Sequence, residues 1–373
     1  MIMMGRIAGF VLVAVMCAAC SVGGGGDDNS PSKIYKYYVY VANSSSNDII
    51  AYSLDTATGA LKWVTGSPFA ARYGPREIAV DPSGKFAYVV NSSSENISAY
   101  TINAAKGSLT EIAGSPIAAY NTRPLSVAVD PSGEFVYVAN SHTNNVSAYA
   151  INAATGGLTA VAGSPFNAGT EPISVAVHPS GKFVYVANRF STASAFAIHS
   201  ATGGLTAVAG SPFDLSIMPS SMAVDPSGKF AYFVCSSYGV KPYAINAATG
   251  GLTAVAGSPF AAGSHPLRVA VDPSGTFAYA ANWVSNDVSA FTINAATGGL
   301  TAVAGSPFAA GHSPRAVAVD PSGKFVYVVN SYTNNVSAFT INAATGALTA
   351  VAGSPFAAGT GPSSVLVIRI EQK

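Results

Sequence analysis

The stretch Pro124 to Asn167 reads PLSVAVDPSGEFVYVANSHTNNVSAYAINAATGGLTAVAGSPFN. It holds four short apolar runs, Val127 to Val129, Phe135 to Ala139, Val146 to Ile151 and Leu158 to Ala162, each bounded by Gly, Pro, Asn or Ser. Runs this short and this rich in Val, Tyr and Phe are strands. In Asp130-Pro131-Ser132-Gly133 the aspartate, proline and glycine take the first, second and fourth places of a type I turn, so the first two strands form a hairpin. Asn144 and Asn145 turn the second strand into the third, and the glycines of Asn152 to Gly157 supply a positive-φ turn into the fourth. The unit is a four-stranded antiparallel meander.

This unit recurs. Asp-Pro-Ser-Gly starts at Asp81, Asp130, Asp225, Asp272 and Asp320, with His178 opening a variant copy, at spacings of 49, 48, 47, 47 and 48 residues. So regular a period means one structural unit repeated. On the second strand Phe135 and Tyr137 point to one face and Val136 and Val138 to the other, so both faces need covering by neighbouring units. Radial stacking of blades satisfies that need. The second-strand run occurs at Tyr38 to Val41 and at Phe86, Phe135, Phe183, Phe230, Phe277 and Phe325, which predicts an all-β, seven-bladed β-propeller of four-stranded antiparallel blades over residues 37–370. The first copy lacks a first strand and the chain ends with a spare one, Pro362 to Ile370. The C-terminal strand is therefore expected to pair into the N-terminal blade and close the ring. Phe69, Phe166, Phe213, Phe260, Phe308 and Phe356, with Ile117, are read as core residues plugging the gap beneath the next blade, and His178 as a tolerated substitute for the turn aspartate.

Residues 1–19 carry Arg6, an apolar run from Ile7 to Met16 and small residues before Cys20, an export signal too short to span a bilayer. Cys17-Ala18-Ala19-Cys20 resembles the lipobox of bacterial lipoproteins, which implies lipidation of Cys20, with residues 20–36 as a Gly/Ser/Asp-rich tether. The expectation is a lipid-anchored protein of the bacterial envelope, at the outer membrane and facing the periplasm or the surface. With Cys20 lipidated, Cys235 has no disulfide partner. It stands where other repeats carry Asn and reads as a buried small residue.

Apolar residues make up 49% of the chain and charged ones 9%, with a net charge of +1, so disorder and an electrostatic nucleic-acid footprint are excluded. No metal-ligand cluster, phosphate loop or nucleophile elbow is present, and no cofactor or metal is expected. One aspartate per blade explains turns and does not make a calcium site.

The repeated VAVDPSGKFVYVAN, NNVSAF, TGALT and GSPF segments resemble the lactonase-type seven-bladed propellers, phosphogluconolactonase-like enzymes among them, and the related YVTN-repeat surface propellers. The resemblance spans Tyr37 to Ile370. It implies hydrolysis of a sugar lactone by polar residues at the channel mouth. Pro75-Arg76 and Pro314-Arg315 keep the family's Pro-Arg at the start of an inner strand, with Glu77 and Ala316 where a histidine is expected, and asparagines (Asn188, Asn282) stand where a glutamate is expected to end a second strand.

Departures from the repeat concentrate in the loops between strands two and three and in the connectors between blades, which share one face. That face offers Arg72, Tyr73, Arg76, Glu77, Tyr120, Arg123, Glu171, His265, Arg268, His312 and Arg315 as candidate ligand-binding residues. Arginines could grip a carboxylate or phosphate. If the protein is a lactonase, Arg76 and Arg315 with His312, His265 or Glu171 would carry the chemistry; the competing reading is solvated loop charge. His142, Arg189, Trp283 and Tyr332 could form an outer recognition rim. The leading expectation is a monomeric interaction scaffold binding a protein or a carbohydrate at this face, with a lactone hydrolase and a structural role in surface assembly as alternatives.

Overall fold

The turn tetrapeptide does what its residue types predict. Gly133 N–H donates to Asp130 C=O at 3.0 Å and Asp130 N–H to Phe135 C=O at 3.0 Å, while the Asp130 carboxylate accepts from Phe135 N–H at 2.8 Å. Strand Pro124–Val129 is thereby hairpinned to Phe135–Asn140, which pairs with Asn145–Ile151 and then Leu158–Ala160. The computed structural model describes residues 33–119 and 122–372. The signal segment, the lipidation site Cys20 and Tyr120 lie outside the described residues.

The meander recurs in seven separate sheets, each built on one strand order, and they form a seven-bladed propeller. Numbered in chain order, blades II to VII open with inner strands at Pro75, Pro124, Pro172, Pro219, Pro266 and Pro314. Blade I takes three strands from the N-terminal side, beginning with Tyr35–Asn43, and its inner strand from the C-terminus, Pro362–Glu371. These two pair antiparallel from Tyr35↔Glu371 to Asn43↔Pro362. The first strand thus begins two residues before the expected boundary at 37.

Two local expectations change. The fourth strand is not continuous: after Leu158–Ala160 the chain leaves the sheet at Gly163 and returns as Phe166–Asn167, pairing Phe166 with Val146 of the same third strand. The phenylalanine packs against the core between its own blade and the next, as expected of a plug, but stays half-buried at the edge of that core. His178 is also more than a tolerated substitute. Its Nδ1 takes over the carboxylate's bond to Ser180 N–H at 3.0 Å, and its Nε2 lies 2.8 Å from the carbonyl of Gly228 in the next blade, a reach the shorter aspartate lacks. The price is the acceptor for Phe183 N–H.

The core is divided among the seven interfaces between blades. Phe135 and Tyr137 pack toward blade IV with Val184 and Val186, while Val136 and Val138 pack toward blade II with Tyr88 and Val90. Across each interface a second-strand aromatic ring, phenylalanine in six blades and Tyr38 in blade I, lies against the glycine of the next blade's turn, Phe135 on Gly203 and Phe183 on Gly250; both glycines sit at positive φ, where a side chain would be strained as well as obstructed. The tyrosine two residues on is fully buried and donates to that glycine's carbonyl: Tyr137 to Gly203 at 3.1 Å, Tyr185 to Gly250 at 3.0 Å, Tyr327 to Gly59 at 2.8 Å. Burial raises the Tyr137 and Tyr185 pKa above the ordinary phenol value, which keeps the donor protonated. Tyr232 is the exception, its hydroxyl buried without a partner.

That exception supplies an internal control. Tyr185→Phe should cost about 1 kcal/mol in chemical denaturation by stranding the Gly250 carbonyl, and Tyr232→Phe close to nothing; equal losses at both sites would show that the hydroxyl bond contributes no stability. Removing residues 361–373 should lower the melting temperature by about 10 °C or more, because blade I loses its inner strand and the ring its closure. An unchanged melt would refute closure by strand pairing.

Candidate functional site

Proline opens every inner strand, and it does so at a β-bulge. In blade III, Pro124 pairs with Asn140 and Ser126 with Ala139, so Leu125 has no partner; the same shift falls after Pro75, Pro172, Pro219, Pro266 and Pro314, and at Pro362 in blade I. A bulge re-aims the extra residue. Here all seven extra residues, Arg76, Leu125, Ile173, Ser220, Leu267, Arg315 and Ser363, line one central pocket of about 620 Å³ at the mouth. The bulged serines bind outward to the next blade: Ser363 Oγ donates to Pro75 C=O at 2.8 Å and Ser220 Oγ to Pro266 C=O at 2.9 Å.

The residues one step further along the inner strands tie the ring together. Ser126 Oγ accepts from Val175 N–H at 2.9 Å and Ser174 Oγ from Met222 N–H at 3.3 Å, so inner-strand N–H groups facing the axis are satisfied by the preceding blade. In blade II the same place holds Glu77, whose Oε2 accepts from Val127 N–H at 3.1 Å and whose Oε1 meets Arg268 Nη1 of blade VI at 2.6 Å. Both side chains of this pair are largely covered, at 16% and 21% exposure, and they link two blades three places apart around the ring, across the axis.

Arg76 and Arg315 stand differently. Neither guanidinium makes a hydrogen bond or ion pair with any described residue. Burial without a counter-charge holds Arg315 below the ordinary arginine pKa, yet a guanidinium stays protonated, so the pocket carries a partly desolvated cation with its donors uncommitted.

The other candidates are placed as follows. Arg268 lines the pocket but is committed to Glu77. Arg72 pairs with Glu111 at 2.8 Å, and Glu171 with Arg189 at 2.9 Å; Arg189 reaches the pocket wall and Glu171 does not line it. Arg123 is exposed, its carbonyl accepting from Ser141 Oγ at 3.0 Å. His265 leans on Trp283 with ring centroids 6.4 Å apart and His312 on Tyr332 at 6.1 Å; His312, Trp283 and Tyr332 belong to a separate shallow cleft of about 290 Å³. Sequence reasoning passed over Leu125, Ile173, Ile217, Met218 and Ser363 as site residues. For Leu125, Ile173 and Ser363 the signal was positional, the residue after each inner-strand proline, whereas Ile217 and Met218 lie in the connector before Pro219. Among the described residues no group of His, Cys, Asp and Glu is arranged to hold a metal ion.

The sequence matches the family described as lactonase, 7-bladed β-propeller, over residues 26–122, 115–176, 161–265 and 256–367. No curated protein matches it. Among solved structures the chain resembles a candidate 6-phosphogluconolactonase from Bacteroides uniformis, at 20% identity and a TM-score of 0.78 over 90% of this chain and 99% of that one. A second candidate 6-phosphogluconolactonase, from Bacteroides fragilis, gives 21%, 0.76, 92% and 100%. The periplasmic gluconolactonase of Pseudomonas aeruginosa gives 20%, 0.73, 90% and 99%.

The Glu77–Arg268 pair is testable as a unit. Either single alanine substitution strands a largely covered charge and should cost about 2–4 kcal/mol, while Glu77→Ala with Arg268→Ala should cost less than the sum of the two. Additive losses in urea denaturation would mean that the two side chains do not interact.

Proposed function

The chain belongs to the lactonase family of seven-bladed β-propellers, and from that membership we propose that the central pocket hydrolyses lactones. The observation that carries the reading is the pair of uncommitted guanidinia, Arg76 and Arg315, in a walled pocket on the propeller axis. Hydrolysis adds a water oxygen to the carbonyl carbon and moves the carbonyl π electrons onto oxygen. Collapse of that oxyanion breaks the ring C–O bond, the departing oxygen takes up a proton, and the resulting hydroxy acid releases one proton to solvent as a carboxylate. Negative charge therefore grows on one oxygen and ends on a carboxylate. Half-buried guanidinium donors bound to no other side chain are matched to both, since little has to reorganise as the charge appears.

Glu77 and Arg268 act as positioning residues in this scheme, bracing blades II and VI beneath the donors. The absence of an imidazole or carboxylate from the pocket's lining residues favours direct attack by water on an ester already activated by ring strain and polarised by the arginines. Family membership supports this reading over the scaffold role expected from the sequence alone. Anchorage through a lipidated Cys20 belongs to the same proposal and would place the reaction in the envelope.

Purified mature protein should hydrolyse δ-lactones in a pH-stat assay, and Arg76→Ala with Arg315→Ala should lower kcat/KM by a factor on the order of 10² or more at unchanged melting temperature. Lysine at both positions should restore little, because an ammonium cannot present the planar fork. Absence of turnover across a broad lactone panel would overturn the proposal.

A further inference from the structure

Resting on that reading, we infer that the lactone carries an aliphatic substituent, seated against a wall that blade V has been modified to provide. Blade V is where the repeat departs from itself. The connector into it reads Asp214-Leu215-Ser216-Ile217-Met218, where the next connector, of the same length, reads Ala261-Ala262-Gly263-Ser264-His265. Its second strand ends in Cys235, where the other six end in asparagine.

That asparagine has a structural task. In blades II, III, IV, VI and VII its Nδ2 donates to a serine on the third strand, as Asn140 does to Ser147 at 2.8 Å, and to the side chain that opens that strand, as to Asn145 at 2.8 Å. In blade V all three places change together, to Cys235, Gly239 and Lys241. A polar cluster has been dismantled as a set, not eroded at one position. Of these three, Cys235 lines the pocket, together with Ile217 and Met218 of the altered connector and the hydroxyls of Ser236 and Ser237, while Lys241 Nζ donates to the connector's Leu215 C=O at 2.7 Å. Ile217 is 4% exposed, continuous with the core, while Met218 stays 60% exposed at the rim, a large apolar side chain with nothing of its own to cover it.

The bulge residues complete the division. Leu125, Ile173 and Leu267 extend the apolar wall through blades III, IV and VI, and Arg76 and Arg315 face it from blades II and VII with Ser363 between them. The apolar side also carries Arg189, Ser216 and Tyr238, so a ligand meets the pocket's uncommitted guanidinium donors at Arg76 and Arg315 and its largest apolar surface at Leu125, Ile173, Ile217 and Leu267. A polyhydroxylated sugar lactone would leave hydroxyls unpaired against Leu125, Ile173 and Ile217, which is costly. Each methylene buried there should instead improve binding about fourfold.

Three lactones with the same six-membered ring separate the possibilities: δ-decalactone with a pentyl chain, unsubstituted δ-valerolactone, and glucono-δ-lactone. The expected order of kcat/KM is decalactone first, at least about tenfold above valerolactone, with gluconolactone last. Met218→His, and separately Ile217→Ser, each taking the residue of the following connector, should lower the ratio of kcat/KM for decalactone over valerolactone at least about threefold. The exposed Met218 keeps the test independent of folding. A preference for gluconolactone, or an equal loss on all three substrates, would overturn the inference while sparing the hydrolase reading. If no lactone is turned over, calorimetric titration decides: 5-hydroxydecanoate binding more tightly than gluconate upholds the divided pocket, and equal or absent binding of the two rejects it.

Discussion

Every blade is held to the next by a second-strand aromatic ring against a turn glycine, and in six of the seven interfaces the following tyrosine hydroxyl also donates to that glycine's carbonyl, Tyr232 being the exception. The contact combines burial of a large ring with satisfaction of a backbone acceptor that the turn leaves without a partner. It also explains why the turn glycine cannot be traded away, since backbone conformation and the neighbouring ring both exclude a Cβ. A blade has two apolar faces and no independent core, so stability resides in the interfaces and the ring stands or falls on being closed. The pairing of Tyr35–Asn43 with Pro362–Glu371 is how the chain closes it without a covalent staple.

Closure creates a second problem at the axis, where the inner-strand N–H groups of Val127, Val175 and Met222 need acceptors. The solution is local and uses the preceding blade: serine hydroxyls at Ser126 and Ser174, a carboxylate at Glu77. Glu77 then carries a charge that must be balanced, and Arg268 balances it from across the ring. The same bulge that staggers these residues turns the preceding side chain into the pocket. Site and scaffold are therefore built from alternate residues of the same strands, which lets the pocket vary while the ring remains constant.

Seven nearly equal blades would make a pocket without direction. Direction comes from the places where copies disagree: arginine at the bulge of blades II and VII, leucine or isoleucine in III, IV and VI, and the altered connector and strand end of blade V. None of these departures is required by turn geometry or register, because other blades make the same turns with alanine, glycine and asparagine. In blade V they serve the core as well, since Leu215, Ile217 and Cys235 are buried in the cluster between blades IV and V.

Blade number, strand order, turn types and ring closure were legible in the sequence, because period-two patterning and the Asp-Pro-Ser-Gly and Thr-Gly signals act over a few residues and repeat. The family resemblance also stood on those segments, and the Pro-Arg positions marked Arg76 and Arg315, which line the pocket. What the sequence could not rank was the mouth. His265, His312, Arg72 and Arg76 look alike as loop-borne polar residues, yet three lie against other side chains at the rim and one lines the axis. The pairing of Glu77 with Arg268, 191 positions apart, and the meeting of Leu125 with Ile217 in one wall, needed the ring itself. Distances across the axis depend on the curvature summed over all seven blades, a quantity that no local pattern encodes.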